Sequence, residues 1–184
     1  MVLRPEGTGG FQPWERTTRG EIESDRNINL LCVNSMSQSL ALVLVHIIFS
    51  TKNRSPFLQS TEVRSQAHAY LTGTLRALDC APLQVGGVAD HVHILCGLSR
   101  KISLAELVKI LKTSSSKILK GKGHDGFSWQ SGYGAFSVSQ SARESVFSYI
   151  AEQEIHHRRM NFQDEFRALL NKHGIRFDER YVWD

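Results

Sequence analysis

The sequence predicts an α+β fold: a four-stranded antiparallel sheet with two helices on one face and a further helix after the last strand. Two observations support this prediction. The hydrophobic and turn patterns give the order β-α-β-β-α-β, followed by helical segments. A hydrophobic fraction of 41% over 184 residues is enough for one domain with a proper core. Two helices over one face of such a sheet form the ferredoxin-like arrangement, which the RRM fold shares.

The first half of the predicted domain contains three strands and one helix. Residues 40–50 form a continuous apolar run rich in β-branched side chains, which predicts a buried strand. Residues 60–78 repeat apolar side chains every three or four positions, as a helix does. The segment 81–98 holds two short strands around the turn residues Gly86–Gly87 and Ala89–Asp90, which indicates a β-hairpin.

The second half begins with a helix and returns to the sheet. Ser103 and Glu106 form a capping box, in which the serine side chain accepts a hydrogen bond from the first turn of the helix. The stretch 127–139, around Gly132 and Gly134, predicts one or two strands that complete the sheet.

Two more helices are predicted after the sheet. Ser141 and Glu144 form a second capping box, and the helix that they open is expected to run to about Arg159. A last amphipathic helix is predicted at 162–172.

The first 35 residues differ from the rest of the chain. They show no sustained periodicity and combine several glycines and prolines with mixed charge, so we expect a poorly ordered extension at 1–35. Regular patterning begins after Met36, which places the functional domain at 36–184.

The composition limits the possible functional classes. Cys32, Cys80 and Cys96 form no CxxC pair, which argues against a zinc ribbon or a disulfide scaffold and favours a reducing cytoplasm. A net charge of +4 and a pI near 9.1 are compatible with a polyanionic partner. No apolar run is long enough to span a bilayer and the first residues lack the layout of a signal peptide, so we expect no membrane association.

Two histidines alternate with apolar residues in the stretch DHVHIL, at 90–95. Successive side chains of a strand point to opposite faces, so His91 and His93 share one face while Val92 and Ile94 point towards a core. The pair can be two ordinary surface histidines or two ligands of a metal ion. The second interpretation requires a third ligand from elsewhere in the chain.

The helix predicted after the last strand carries a tyrosine beside polar residues. Tyr149 and Gln153 are four positions apart, so they share a helix face at a separation of about 5–6 Å. Considered alone, this helix is also compatible with a half-buried tyrosine whose hydroxyl is solvated.

Five motifs in one order make the sequence resemble a known family: VHIIFSTKNR, DHVHILCGL, WQSGYGAFSVS, YIAEQEIHH and GIRFDERYVW. From about residue 40 to residue 183 the chain is similar to the HUH single-strand nucleases. It resembles more closely the single-tyrosine insertion-sequence transposases and their relatives associated with repetitive extragenic palindromes. The resemblance implies that Tyr149 is the nucleophile, that His91 and His93 bind metal, and that Gln153 is the third ligand.

The resemblance also implies a reaction and its partners. The expected function is DNA transposition, with cleavage and rejoining of single-stranded DNA at hairpin-flanked ends through a 5′-phosphotyrosine, in a prokaryotic cytoplasm and on the nucleoid. The expected cofactor is Mg²⁺ or Mn²⁺, since a divalent cation offsets the charge of the scissile phosphate. The expected assembly is a homodimer in which the histidines of one subunit face the tyrosine helix of the other. The short link at 137–143 favours this, because it limits how far the helix can fold back over its own sheet.

Basic and polar residues near the predicted sheet are candidate contacts to DNA phosphates. They are Lys52, Asn53 and Arg54 after the first strand, with Lys112, Lys117 and Lys120 on the second helix. Each of them can equally be a solvated surface residue.

Two other functions remain open on the sequence alone. The segment SGYGAFSV is similar to a signature segment of the RNA-recognition motif (RRM) domain. An RRM-like chain would be a single-stranded nucleic-acid-binding module without catalysis. However, Ser131 stands where that motif has a basic residue, and Ala135 where it has an aromatic one. A zinc-dependent hydrolase is the other alternative, although the sequence has no HExxH pattern.

Overall fold

The computed structural model describes residues 40–183, so the predicted extension at 1–35, Met36 and Cys32 lie outside the described residues. The strands are β1 (Leu44–Ser50), β2 (Ala81–Gly87), β3 (His91–Gly97) and β4 (Gly134–Val138). The helices are α1 (Thr61–Ala77), α2 (Leu104–Gly121), α3 (Arg143–Ala151), α4 (Gln153–His156) and α5 (Phe162–Lys172).

The four strands form one sheet in the order β2-β3-β1-β4, and each neighbouring pair is antiparallel. Helix α1 connects β1 to β2, and α2 connects β3 to β4. This is the ferredoxin-like α+β arrangement that the element order predicts, and the prediction is confirmed. Among the described residues, no helix is both long enough and apolar enough to cross a membrane.

The main core lies between the sheet and helices α1 and α2. Val92 and Ile94 point into it from β3, as the alternation of the strand predicts. Its other buried members include Val45, Ile47 and Phe49 from β1, Leu71 and Leu75 from α1, and Leu107 and Leu111 from α2. The opposite residues of β1 and β3 therefore belong to the other face of the sheet.

That other face is also covered, by α3 and α5. Helix α3 packs against β2 and β3 of its own sheet. A second apolar cluster lies beside it, formed by Ile48, Phe136, Phe162, Phe166 and Leu170. The short link at 137–143 does not prevent α3 from folding back over its own sheet, because residues 139–142 make a single turn that directs the helix across it.

Two predicted boundaries at strand and helix starts are wrong. Strand β1 begins at Leu44 rather than at residue 40, and Leu40 and Leu42 are exposed. The serine that caps the turn before α3 is Ser139, whose Oγ accepts a hydrogen bond from the Ala142 N–H, rather than Ser141. The capping serine predicted for α2 is confirmed, because Ser103 Oγ accepts from the Glu106 N–H.

The helix predicted to reach Arg159 is interrupted at Glu152. This residue has φ −97° and ψ 16°, which ends α3 and starts the single turn of α4. Gln153 is the first residue of α4, and it is buried, with 1% of its surface exposed.

Helix α3 approaches β2 closely at Gly86. A Cβ atom at this position would overlap the carbonyl oxygen of Ile150 and would lie 2.9 Å from its Cγ2 atom. Only glycine allows this separation between the helix and the strand. Since Ile150 is the neighbour of Tyr149, Gly86 also determines how close the tyrosine comes to the sheet.

We predict that Gly86→Ala lowers the free energy of unfolding by about 1–3 kcal/mol, because the added methyl forces α3 away from β2. Chemical denaturation measures this change. Gly73→Ala is the matched control: nothing lies within 4 Å of its Cβ position on α1, so this variant should be neutral or more stable by up to about 1 kcal/mol. Equal stability of the two alanine variants would contradict the close packing of α3.

Candidate active site

The two histidines of β3 lie on the sheet face beneath α3 and α5, and both are fully buried. In the strand pairing, His93 is opposite Ile48 and His91 is opposite Ser50. Their Nδ1 atoms are both engaged: His91 Nδ1 is 2.8 Å from Asp90 Oδ1, and His93 Nδ1 is 3.0 Å from His46 Nε2. These contacts fix the two rings so that both Nε2 atoms point into the space below the helices.

These Nε2 atoms are suited to bind a cation. Within residues 40–183, neither has a hydrogen-bond partner, although both are buried. Burial lowers the pKa of His93 to about 4, and burial with the nearby His93 lowers the pKa of His46 to about 3. His93 and His46 are therefore neutral near pH 7, and the neutral imidazole is the form that coordinates metal ions.

Helix α3 places Tyr149 beside His93 and His46. Its ring centroid lies 5.8 Å from that of His93 and 6.2 Å from that of His46. Its hydroxyl donates a hydrogen bond to Oε1 of Glu165. Burial, reinforced by the charge of Glu165, raises the pKa of Tyr149 above its usual range, so the resting phenol is protonated.

Gln153 reaches the same place from the start of α4. Its Nε2 donates to Glu165 Oε1 at 3.0 Å, and its Oε1 is buried with no hydrogen-bond partner in the described part of the chain. The structure therefore brings together all four residues that the sequence predicts for the site: His91, His93, Tyr149 and Gln153.

The centre of this arrangement is Glu165 on α5, which the sequence reasoning missed. Its carboxylate is 2% exposed. Oε2 is 3.0 Å from His157 Nε2, 3.5 Å from His93 Nε2 and 3.6 Å from His91 Nε2. Burial alone would raise the pKa of this carboxyl, but its contacts with His157 and His93 hold that pKa well below its usual range.

The four groups have the geometry of a metal centre. The ligand atoms of His91, His93, His157 and Glu165 all lie within 4.8 Å of one another. The separations of 3.5 and 3.6 Å between Glu165 Oε2 and the two histidine Nε2 atoms are long for hydrogen bonds. They suit ligands of one ion, since two atoms about 2.1 Å from a tetrahedral metal are about 3.4 Å apart. The Nε2 atoms of His91 and His93, which are buried without a hydrogen-bond partner among the described residues, and the nearby Glu165 carboxylate therefore fit a divalent cation.

A signal for Glu165 was present in the sequence. Phe162, Phe166 and Leu170 form the apolar stripe of α5, and Glu165 lies on that stripe beside Phe166 and Phe162. A carboxylate at a core position of a helix requires a buried partner. His157 is harder to find, because it follows the helix break at Glu152 that periodicity does not reveal.

The predicted DNA contacts fall in two neighbouring places. Lys52, Asn53 and Arg54 form an exposed turn after β1, joined to the segment before β4 by a hydrogen bond from the Lys52 N–H to the Ser128 carbonyl. Lys117 and Lys120 line a cleft of about 670 Å³ between α2 and that same segment. Their contacts with DNA phosphates stay predictions.

Lys112 has a different environment from the other lysines. Its ammonium donates to the carbonyl oxygens of Gln130, Ser131 and Gly132 at 2.9, 3.1 and 2.6 Å. Burial lowers its pKa to about 8. These three hydrogen bonds hold the loop before β4, and the contact of Lys112 with a DNA phosphate stays a prediction.

Substrate can reach the tyrosine from one side. Tyr149 and Glu165 line a cleft of about 650 Å³ between β4, α3 and α5. Its walls include Phe136 and Leu169, and Lys172 adds a positive charge. An extended strand of nucleic acid could therefore approach the hydroxyl without displacing the sheet.

Comparisons with known proteins agree with this geometry. Residues 39–153 match the family model Y1_Tnp, described as transposase IS200 like. A candidate transposase from Deinococcus radiodurans R1 has a TM-score of 0.50 and 23% identity, over 62% of this chain and 93% of that one. A REP-associated tyrosine transposase bound to a REP hairpin has a TM-score of 0.50 and 13% identity, over 66% and 74%. No curated protein sequence matches. The two structures share the fold, and the match over 39–153 shows that the chain belongs to the IS200-like transposase family.

Proposed function

We propose that this transposase cleaves and rejoins single-stranded DNA through a covalent bond between Tyr149 and a 5′-phosphate. The observation that carries the proposal is the hydrogen bond from the Tyr149 hydroxyl to Glu165, whose carboxylate also faces the two buried histidines His91 and His93. The Nε2 atoms of these histidines have no hydrogen-bond partner among the described residues. Linking the phosphate to tyrosine conserves the ester, so another 3′-hydroxyl can later reverse the reaction. The structural neighbour that binds a REP hairpin supports a hairpin beside the cleavage position.

The proposed metal ligands are His91, His93 and Gln153, with Glu165 as an additional oxygen ligand. Mg²⁺ and Mn²⁺ are the proposed ions, and imidazole ligands favour Mn²⁺ of the two. When bound, the ion offsets the negative charge of the phosphate oxygens and orients them. The chain's own part is to hold the ligands: Asp90 orients the ring of His91 by its hydrogen bond to Nδ1.

A binding module without catalysis is disfavoured by the same face of the sheet. An RNA-recognition motif stacks bases on an open sheet surface. Here α3 and α5 cover the equivalent surface, and it carries buried histidines rather than exposed aromatic side chains.

A zinc hydrolase deserves comparison because two histidines and a glutamate are a known ligand set for catalytic zinc. Such an enzyme would release its products and form no bond to tyrosine. The fate of the cleaved strand therefore separates the two functions.

We predict that Tyr149→Phe abolishes the covalent adduct with a single-stranded hairpin substrate in Mn²⁺, because it removes only the attacking oxygen. A denaturing gel detects the protein–DNA adduct. The substrate control is the same sequence as a full duplex, which should not react, since a paired strand cannot bend its phosphate in line with a tyrosine on a rigid helix. Adduct formation by the phenylalanine variant would exclude Tyr149, and cleavage without any adduct would favour the hydrolase.

We predict that replacing both His91 and His93 with alanine removes Mn²⁺ binding, measured by calorimetry without DNA. Affinity for the hairpin should be largely kept, because phosphate contacts elsewhere supply most of it. His124→Ala is the matched control, since this histidine lies in the loop after α2, away from the site. Unchanged Mn²⁺ affinity of the double variant would contradict the proposed centre.

We also propose a homodimer with active sites shared between subunits. Within one chain, α3 already packs on its own sheet. A shared site therefore requires reciprocal exchange of α3 between two copies, which reproduces the same contacts in trans and is a low-cost route to a dimer.

We predict that Tyr149→Phe protein, mixed with the His91→Ala/His93→Ala variant under conditions of subunit exchange, regains adduct formation. Each variant is inactive alone, and a mixed dimer contains one intact shared site. The two variants kept as separate homodimers are the control. If exchange is verified and no activity returns, each site belongs to a single chain.

A further inference from the structure

We propose that the cleft between α2 and residues 128–133 binds the unpaired part of the DNA substrate, with one nucleobase stacked on Tyr133. The proposal rests on the proposed function in one respect, because it takes single-stranded DNA as the substrate. It gives a base-binding role to a residue outside the candidate active site, and so goes beyond the phosphate contacts predicted for the lysines of this cleft.

One wall of the cleft is cationic. Lys109, Thr113, Lys117 and Lys120 line it at intervals of four, four and three residues, which places them on one face of α2. Lys109 is partly neutralised by Glu106 at 3.2 Å, whereas Lys117 and Lys120 are exposed. None of the described residues that line the cleft is acidic. This wall therefore attracts a row of phosphates.

The opposite wall carries two aromatic residues, which differ in exposure. Trp129 is 7% exposed and its indole N–H donates to Ser115 Oγ at 2.8 Å, so this side chain belongs to the core. Tyr133 is 41% exposed and lines the same cleft. An exposed ring beside a row of lysines is how many proteins hold single-stranded nucleic acid, since a base stacks on the ring while the cations follow the backbone.

Lys112 holds Tyr133 in place before DNA arrives. Its ammonium donates to the carbonyl oxygens of the three residues before Tyr133, at 2.9, 3.1 and 2.6 Å, and lies 5.6 Å from the centroid of the Tyr133 ring. The same ammonium lies 5.1 Å from the ring centroid of Phe49, a core residue of β1. Because the loop and the ring are fixed in advance, stacking a base on Tyr133 orders few additional groups of the protein.

A base that stacks on Tyr133 must come from an unpaired strand. Within a duplex, the faces of each base are covered by the bases above and below it. An unpaired base can turn one face towards a protein ring, and it does so with little dependence on sequence because every base has such a face. The proposal therefore commits to an unpaired nucleotide rather than to the paired stem of a hairpin.

Strand β4 connects this cleft to the candidate active site. Tyr133 directly precedes β4, while Phe136, Ser137 and Val138 of that strand line the cleft of Tyr149. The five residues of β4 span roughly 16 Å. A DNA strand that binds at Tyr133 can therefore extend to Tyr149, and the stacked base would fix which phosphate reaches the nucleophile.

The test measures binding rather than cleavage, in the full-length protein with a chelator present so that no adduct forms. The probes are an oligothymidylate of about 20 nucleotides and a strand of equal length that has every phosphate but no bases. Tyr133→Ala should weaken binding of the oligothymidylate by roughly 5- to 150-fold, the usual range for one stacked base, and leave binding of the abasic strand unchanged. Tyr133→Phe keeps the ring and should bind both probes as the unchanged protein does.

Two control variants separate stacking from charge. Replacing both Lys117 and Lys120 with alanine should weaken binding of both probes equally and reduce the slope of log affinity against log salt concentration by roughly 1.4. Tyr181→Ala removes an aromatic residue that is 67% exposed but does not line this cleft, and it should change neither affinity.

A cross-linking measurement locates the base without any variant. An oligonucleotide that contains 5-iodouracil is bound to the unchanged protein and irradiated, and mass spectrometry identifies the residue to which it is joined. The expected residue is Tyr133. This result does not depend on how well a Tyr133 variant folds.

Three results would overturn the proposal: no loss of oligothymidylate binding in Tyr133→Ala, an equal loss for the abasic strand, or cross-links that avoid Tyr133. Adduct formation by Tyr149→Phe would instead refute the proposed nucleophile and leave these binding results in place. If the unchanged protein binds neither probe, single-stranded DNA is not the substrate and both proposals are wrong. The failures of the two proposals are therefore distinguishable.

Discussion

The buried carboxylate of Glu165 is the constraint on which the rest of the candidate site depends. Removing an anion from water costs several kcal/mol, and the cost is offset only where donors surround the charge. Here Tyr149, Gln153 and His157 supply those donors from α3, α4 and the segment that follows. The interruption at Glu152 is part of the same arrangement, because it lets donors from both sides of the break meet one carboxylate.

The charges of the site are complementary in the absence of substrate. The pKa of His157 would be lowered by burial alone, but its contact with Glu165 raises it, which favours an ion pair between the two. His46 and His93 remain neutral because burial lowers the pKa of each. A cation held by the histidines and Glu165 would add a further positive charge beside the carboxylate. Metal binding and the stability of the folded site are therefore linked through the Glu165 side chain.

The sequence predicts the parts of the site that follow from local geometry. The alternation of a strand places His91 and His93 on one face, and the helical repeat places Tyr149 near Gln153; the structure confirms both positions. It does not reveal Glu165, because its contacts with the β3 histidines join residues far apart in the chain through the packing of α5. The sequence does not reveal the surroundings of Lys112 for a similar reason, since the carbonyl groups that bind it belong to a distant loop.

The fold alone would not distinguish a nuclease from a binding module, because both can use the same four-stranded sheet. The distinction lies in what covers the second face of the sheet. An exposed face would offer flat stacking surface to bases, whereas α3 and α5 enclose this one and leave a cleft at its edge beside β4. Gly86 allows α3 to lie close enough to the sheet for Tyr149 to contact His93. Glu165 fixes the Tyr149 hydroxyl there by accepting its hydrogen bond. In the proposed mechanism, this enclosure is what lets the sheet present Tyr149 to DNA as a nucleophile instead of only binding DNA.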